Sequence, residues 1–312
     1  MRLLLTGGFG YLAGRIADTL ATAGHTVVLS SRGVPAAARS WAARFEVRHC
    51  DVLEPAGHAA ALEGVDTVLH LASLDEREAE ADPYRALAVS AEGTRLLLGA
   101  ARAADVRRFV FFSTFHVYGP TAPATVDEES PTRASHPYAI AHLAGEGFCR
   151  QARERGQDVL IVRPSNGYGA PNWVEVDRWT LAHNDFCRQA VQTGRIVLRS
   201  SGMQHRDFVG ASDIAAATKL LAEAPTDRLG DGVFNVGGRL SLAVYDVARK
   251  VQAQARELLK IDCPIDRPAP ATSDNSPAVD FRVDRMAKLG YQPRDWFDVE
   301  TRRLFELLGQ SK

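Results

Sequence analysis

The sequence predicts an α/β fold, a Rossmann-type doubly wound parallel sheet with a smaller C-terminal substrate-binding lobe. Three observations carry that reading. A glycine turn stands directly behind the first apolar run, strand-like and helical segments alternate over the first 165 residues, and the rhythm changes after them. At 312 residues the chain is long enough for one large α/β unit or for two lobes around one cleft.

Strand-like runs lie at 2–6, 26–30, 45–49, 67–71, 109–113 and 159–163, with helical patterns between them at 11–23, 35–43, 84–103 and 138–155. Short strands that are apolar on both faces imply a parallel sheet covered on both sides. Ligands of such sheets sit beyond the carboxyl ends of the strands. After residue 165, segments rich in Pro, Gly and Asn (166–172, 200–205 and 264–276) separate helices near 179–192, 212–222, 242–254 and 299–308, with a late strand near 233–236. Residues 1–165 are therefore expected to form the dinucleotide-binding domain. Residues 166–312 are expected to form mainly the substrate lobe, interleaved with the first.

Composition narrows the function by exclusion. A hydrophobic fraction of 46%, a charged fraction of 24% and a net charge of −1 are those of an ordinary globular protein, with no pull toward nucleic acid or an anionic membrane. The apolar run 109–112 is too short to span a bilayer, and the run 3–5 is too brief for a signal peptide. Cys50, Cys149, Cys187 and Cys263 are scattered and form no CxxC pair, which fits reduced thiols in the cytoplasm and no metal site.

The segment Leu3-Leu4-Leu5-Thr6-Gly7-Gly8-Phe9-Gly10-Tyr11-Leu12-Ala13 reads as strand, turn, helix. Glycines there let the backbone turn tightly and approach a pyrophosphate, and the helix start offers it free N–H groups. Ala13, at the third fingerprint position, is still small enough for close helix–sheet packing. Where the second strand ends, NAD sites carry a carboxylate for the ribose hydroxyls. Here stand Ser30, Ser31 and Arg32, which favours NADP over NAD because a guanidinium pairs with a 2′-phosphate. Placement of Arg32 on the adenine or in solvent remains open.

With these residues the chain resembles the extended short-chain dehydrogenase/reductases, the NAD(P)-dependent nucleotide-sugar epimerases and dehydratases. The resemblance rests on Thr6-Gly7-Gly8-Phe9-Gly10, Cys50-Asp51-Val52, His70-Leu71-Ala72-Ser73, Phe112-Ser113-Thr114, Val117-Tyr118-Gly119, Arg163-Pro164-Ser165-Asn166, Arg206-Asp207-Phe208-Val209 and Asn235-Val236-Gly237. It implies cofactor contacts from Gly7, Phe9, Gly10, Tyr11, Leu12, Ser31, Arg32, Asp51, Val52, Leu71, Ala72, Ser73, Tyr138, His142 and Pro164. It further implies that Thr114 holds a substrate oxygen and that Tyr138 is the general acid/base, its pKa lowered for the task.

The family places a lysine four residues after that tyrosine; here the position is His142, and the first lysine of the chain is Lys219. Three readings follow. His142 binds the ribose with a weaker, pH-dependent effect on Tyr138, or His116 serves as another acid/base, or the enzyme is impaired. Phe115 and His116 stand where dehydratases of the family carry an acidic pair, which disfavours that reaction. On the substrate side, Asn166, Asn184, Arg206 and Arg282 match contacts to a nucleotide diphosphate, with a salt bridge to Asp213 the plainer role for Arg206. Trp173 and Trp179 either stack on a base or sugar or pack in the lobe.

The expected function is epimerisation of a nucleotide sugar by hydride transfer at a ring carbon, C4 by resemblance. An NADPH-dependent keto-sugar reductase is the alternative, and a non-catalytic dinucleotide-sensing protein the rival of another class. The resemblance also implies a homodimer pairing the helices at 91–103 and 138–153.

Overall fold

The computed structural model describes residues 1–120, 124–271 and 277–309; the end of the 264–276 segment, from 272, lies outside the described residues. Its central sheet has seven strands: β1 (Arg2–Thr6), β2 (Thr26–Ser31), β3 (Glu46–His49), β4 (Thr67–His70), β5 (Arg108–Phe112), β6 (Val159–Pro164) and β7 (Val233–Val236). Every pairing is parallel and the spatial order is β7-β6-β5-β4-β1-β2-β3. The order reverses between β1 and β4, and a crevice opens at that point beyond the strand ends.

Strand β1 shows why the sheet is covered on both faces. Leu3 and Leu5 join one apolar cluster and Leu4 the other, as the two-residue period of a strand requires. All three are fully buried, each contributing about 1.5–3 kcal/mol of apolar burial. The helices that position the site are α1 (Tyr11–Thr22), α2 (Glu76–Ala81), α3 (Thr94–Ala103), α4 (Pro137–Glu154), α5 (Ala182–Thr193), α6 (Ala211–Glu223) and α7 (Phe297–Gly309). Residues of α1 and α6 cover one face, and those of α3 and α4 the other. The chain therefore returns to the first sheet after residue 165, through α6 and β7.

The remaining C-terminal segments build a second layer. Strands Asn166–Tyr168, His205–Gly210 and Ser241–Ala243 form a small sheet. Helices α5, Val244–Gln254 and α7 pack beside it around Tyr168, Phe186, Val247, Phe297 and Leu304.

Two local expectations change. The helix expected over 84–103 is three pieces: Pro83–Leu87, a wide π turn over Ala88–Gly93, and α3. The cause is close packing against α4 and the loop after β3. A Cβ on Gly145 would stand 2.4 Å from the Ser90 carbonyl oxygen, and one on Gly93 2.8 Å from Val52. The turn widens where Thr94 Oγ1 donates to that same Ser90 oxygen at 2.7 Å. The helix expected over 35–43 shrinks to Ala36–Ala38 and Arg39–Ala42. Helix α2 was not expected, although its start carries a readable signal: Asp75 and Glu78 form a reciprocal capping box.

Candidate active site

The glycine turn sits at the reversal point of the sheet. Gly7 has φ of +64°, and a Cβ there would lie 3.1 Å from the backbone of Ala72. A Cβ on Gly8 would lie 2.9 Å from Leu29 Cβ. Backbone from β2 and from the end of β4 thus closes on the turn, and only glycine fits. Helix α1 starts at Gly10 with no side-chain cap and no acidic residue in its first turn, so its first N–H groups are free for an anion.

Beneath the turn runs a buried hydrogen-bond chain. Thr94 Oγ1 donates to Ser90, so it accepts from His70 Nε2 at 3.1 Å; His70 Nδ1 then accepts from Thr6 Oγ1 at 2.6 Å. Thr6 in turn accepts the Leu71 amide at 3.2 Å, which fixes the backbone entering Ala72 and Ser73. Burial pushes the His70 imidazole down to about 3, so the ring stays neutral as this chain requires.

A cavity of about 730 Å³ extends from the turn to Thr114, Tyr138 and His142. Of the residues expected there, it is lined by Gly7, Gly10, Tyr11, Leu12, Leu71, Ser73, Thr114, His116, Tyr138, His142, Pro164 and Asn166. Ala72 supports the turn from behind. Ser31, Arg32, Asp51 and Val52 lie outside this cavity, along the edge formed by β2 and the segment after β3. The Phe9 ring turns away from it and packs against Trp41 and Trp173, both centroids at 6.3 Å. Trp173 is thereby a packing residue. The Tyr11 hydroxyl donates to the Gly169 carbonyl at 2.9 Å, tying α1 to the second, C-terminal layer.

Tyr138 and Thr114 line the same cavity, and the Thr114 hydroxyl is near enough to favour ionisation of the phenol. Thr114 comes from the end of β5, Tyr138 from the first turn of α4. A buried network beneath joins the two elements: Glu146 accepts from Ser113 Oγ at 2.6 Å and from Arg163 Nε and Nη2 at 2.8 and 2.6 Å. The Tyr118 hydroxyl accepts from Arg163 and donates to Asn235, extending the network to β7. Sequence reading missed Glu146, although it stands one helical turn beyond His142 on the same face.

The expected lowering of the Tyr138 pKa is not what these surroundings produce. Burial pushes the phenol up to about 12, and the Glu76 carboxylate adds to the rise; Arg178 and the Thr114 hydroxyl work the other way. His142 cannot act as a charged substitute for lysine. Its Nδ1 donates to the Tyr138 carbonyl at 2.9 Å, and burial holds the imidazole below its usual value and therefore neutral. Its ring packs 4.3 Å from that of Tyr138, and its Nε2 is left as an acceptor. His116 lies 6.0 Å from the Tyr138 ring, edge to face, and burial lowers it to about 4.

A second cavity of about 350 Å³ meets the first at Arg77 and Asp177. It is lined by Arg206, Arg188, Arg199, Trp179 and Gln204, among others. Arg206 makes no salt bridge with Asp213, whose carboxylate instead accepts from the Arg294 amide and Trp296 Nε1. Arg206 is exposed to the cavity, and its polar contact is Asn166 Oδ1 at 3.4 Å.

Two expected substrate residues lie elsewhere. Asn184 is fully buried, accepting the Gly169 amide at 3.0 Å, so it shapes the loop after Asn166–Tyr168 and does not line either cavity. Arg282 pairs with Asp280 at 2.7 Å and likewise lines neither cavity. Among the described residues no cluster of His, Cys, Asp and Glu could hold a metal, and no helix is long and apolar enough to cross a membrane.

An uncapped helix start at the reversal point of a parallel sheet is the phosphate-binding architecture of the dinucleotide-binding class. The chain belongs to the NAD dependent epimerase/dehydratase family, which it matches over residues 3–237, and so to the extended short-chain dehydrogenase/reductases. It is 28% identical over 250 residues to the mouse dTDP-D-glucose 4,6-dehydratase, covering 75% of this chain and 64% of that one. The chain thus spans slightly less than two thirds of the length of that relative. With a UDP-glucose 4-epimerase of Streptomyces lividans it shares 28% identity, covering 80% of each. Among solved structures, the Bacillus cereus UDP-glucuronic acid 4-epimerase with UDP-glucuronic acid and NAD superposes at a TM-score of 0.81, at 19% identity and over the whole of both chains. An RMD structure from Pseudomonas aeruginosa complexed with NADPH gives 0.79 at 24% identity, covering 100% of this chain and 99% of that one.

Proposed function

We propose that the protein is an NAD(P)-dependent nucleotide-sugar epimerase acting at a ring carbinol, C4 of the sugar. One observation carries this reading: the Thr114–Tyr138 pair lies in a cavity that adjoins a second one holding Arg206, which has no ion-pair partner among the described residues. Arg206, with Asn166 beside it, suits a diphosphate, and the sugar beyond it would reach the hydroxyl pair. Gly7, Gly8 and the first amides of α1 suit the pyrophosphate of a dinucleotide. When bound, the nicotinamide supplies a hydride acceptor that becomes the donor for the return step. Thr114 holds the carbinol oxygen, Tyr138 takes its proton and later returns it, and His142 Nε2 accepts from a ribose hydroxyl.

A reductase is favoured by one feature. Arg32 is exposed and has no hydrogen-bond or ion-pair partner among the described residues, which leaves it free for a 2′-phosphate. The assembly we propose is a homodimer: Ile140, on α4, is an exposed apolar residue at 44%, and Tyr84 and Leu87, at 84% and 40%, lie on the short helix Pro83–Leu87 that precedes the 91–103 segment. The four cysteines are buried and free, which supports a reducing, cytoplasmic setting.

The test is turnover of UDP-glucose and UDP-glucuronic acid with added NAD or NADP. Epimerisation interconverts two sugars with no net change in cofactor; a reductase consumes NADPH with a keto-sugar. Tyr138→Phe should lower turnover by roughly 10²–10⁴-fold while leaving dinucleotide binding intact. Turnover undiminished in Tyr138→Phe would overturn the mechanism.

A further inference from the structure

The site has a tyrosine that must give up a proton and no lysine beside it. The histidine at that place is neutral, and no lysine precedes Lys219. Two guanidinium groups line the cavity, those of Arg77 and Arg178. They belong to a double ion pair between the lobes. Glu76 and Arg77, at the start of α2, meet Asp177 and Arg178 of the substrate lobe in two parallel rungs, Glu76–Arg178 at 2.9 Å and Arg77–Asp177.

The two rungs differ. The Arg77 side chain is 62% exposed, whereas that of Arg178 is 21% exposed and lines the same cavity as Tyr138. The Arg178 backbone is held as well, its carbonyl accepting from Asn184 of α5 at 3.5 Å and its N–H donating to Val176 at 2.9 Å. The capping box at Asp75 and Glu78 fixes Glu76 in the first turn of α2. The carboxylate and the guanidinium are thus both built into the wall of the cavity that Tyr138 also lines.

We propose that Arg178 is the cation that serves the Tyr138 hydroxyl in place of a lysine on α4, and that Glu76 sets how much of that charge the hydroxyl feels. The inference rests on the reading of Tyr138 as the acid/base. Arg178 acts through Tyr138 and is a positioning residue, not a catalytic one.

Burial raises the phenol most, and among the charged groups acting on it Glu76 and Arg178 have the largest influence. From α2 and its cap come Glu76 and Asp75, both raising the phenol. From the substrate lobe comes Arg178, which lowers it and is itself held above its usual value by Glu76, Tyr138 and Asp75 although burial opposes its charge. His116, His136 and His142 pack against the ring at 6.0, 6.1 and 4.3 Å. Burial keeps His116 and His142 neutral. The carboxylate of Glu76 is the larger influence, so the pair is set against ionisation, and any change that draws Glu76 off Arg178 reverses it.

The test reads Tyr138 itself. Phenolate absorbance of the full-length protein is followed from neutral pH to pH about 10, and Tyr138→Phe is subtracted to isolate one residue, whose ordinary pKa is about 10. Wild type should show almost no Tyr138 phenolate in that range. Glu76→Gln should show at least tenfold more at a given pH, equivalent to one pKa unit, and Glu76→Gln combined with Arg178→Met should lose it again. Arg178→Lys in the Glu76→Gln background should retain it. Both side chains are partly exposed, so these changes spare the fold.

Equal phenolate in Glu76→Gln and wild type, or in the single and double variants, would overturn the proposal. The titration needs no turnover, so a failure to epimerise nucleotide sugars leaves it readable. Where turnover is present, Arg178→Met should move the limb of the kcat/KM profile that reports Tyr138 to higher pH, and Arg178→Lys should restore it.

Discussion

The glycine turn and the tyrosine wall lie at opposite ends of one cavity and are built on opposite principles. At the turn, each glycine works by what it lacks. The backbones of Leu29 and Ala72 stand where side chains would be, and free amides of α1 do the binding. At the wall, the backbone is ordinary and the chemistry depends on charges carried by Glu76, Arg178 and Glu146 from three separate elements. Dinucleotide binding at the first region should therefore be sensitive to size and indifferent to pH between 6 and 9. The second should tolerate size and respond to charge.

The largest expected effect lies at the base of the wall. Glu146 and Arg163 are 0% and 1% exposed and joined by two hydrogen bonds. Glu146→Ala leaves a buried guanidinium without its counter-charge and should cost about 3–5 kcal/mol of stability, measured by denaturant unfolding. A loss below about 1 kcal/mol would mean that β5 and α4 are held together by apolar packing alone. At the turn the corresponding change is steric. Gly8→Val drives a side chain into Leu29 and should weaken NAD(P)H binding by roughly a hundredfold, about 2–3 kcal/mol of overpacking, equally at pH 6 and pH 9. A binding defect that varied with pH would erase the distinction between the regions.

Below neutral pH, protons act on the stability of both regions alike. Both His70 under the turn and His116 at the wall are pushed down by burial, to about 3 and about 4. Their unfolded counterparts take up protons near pH 6.5, so between there and about pH 4 the unfolded chain binds protons that the folded chain refuses. Stability should be full above pH 7 and fall as pH drops through that window. Glu146, whose paired carboxyl is held below its usual value although burial opposes this, adds a loss only at lower pH. A thermal midpoint that stays constant from pH 7 to pH 5 would rule this out; His116→Asn should flatten its share of the decline.

The same contrast explains what was legible in the sequence. The turn is contiguous, and its steric logic lies in the residues themselves, so Gly7, Gly10 and the strand before them were readable. Tyr138 and Thr114 were readable through resemblance. The charges around them were not, because Glu76 and Arg178 lie about a hundred positions apart and meet only when the lobes pack. The one local clue was the Asp75–Glu78 box, which marks a helix start but says nothing of what Glu76 faces. Asn184 and Arg282 were expected at the substrate and fell elsewhere for a related reason. A side chain on a helix or a short strand is aimed by packing, and packing turned one into the lobe and the other toward Asp280.

The smallest effect tests whether the turn has a charge-dependent part after all. Ser31 closes the β2 end locally, its hydroxyl donating to the Gly33 carbonyl at 2.9 Å, and Arg32 beside it is exposed and unpaired among the described residues. No carboxylate there repels a 2′-phosphate. If Arg32 meets that phosphate, Arg32→Ala should weaken NADP about tenfold, near 1.4 kcal/mol, with NAD unchanged. The effect should shrink with added salt, because the pair would be solvent-exposed and screened. Equal losses for NADP and NAD would place the guanidinium on the adenine, which both cofactors share. Either loss would give the turn one residue that works by its charge, and only a variant without effect would leave it purely steric.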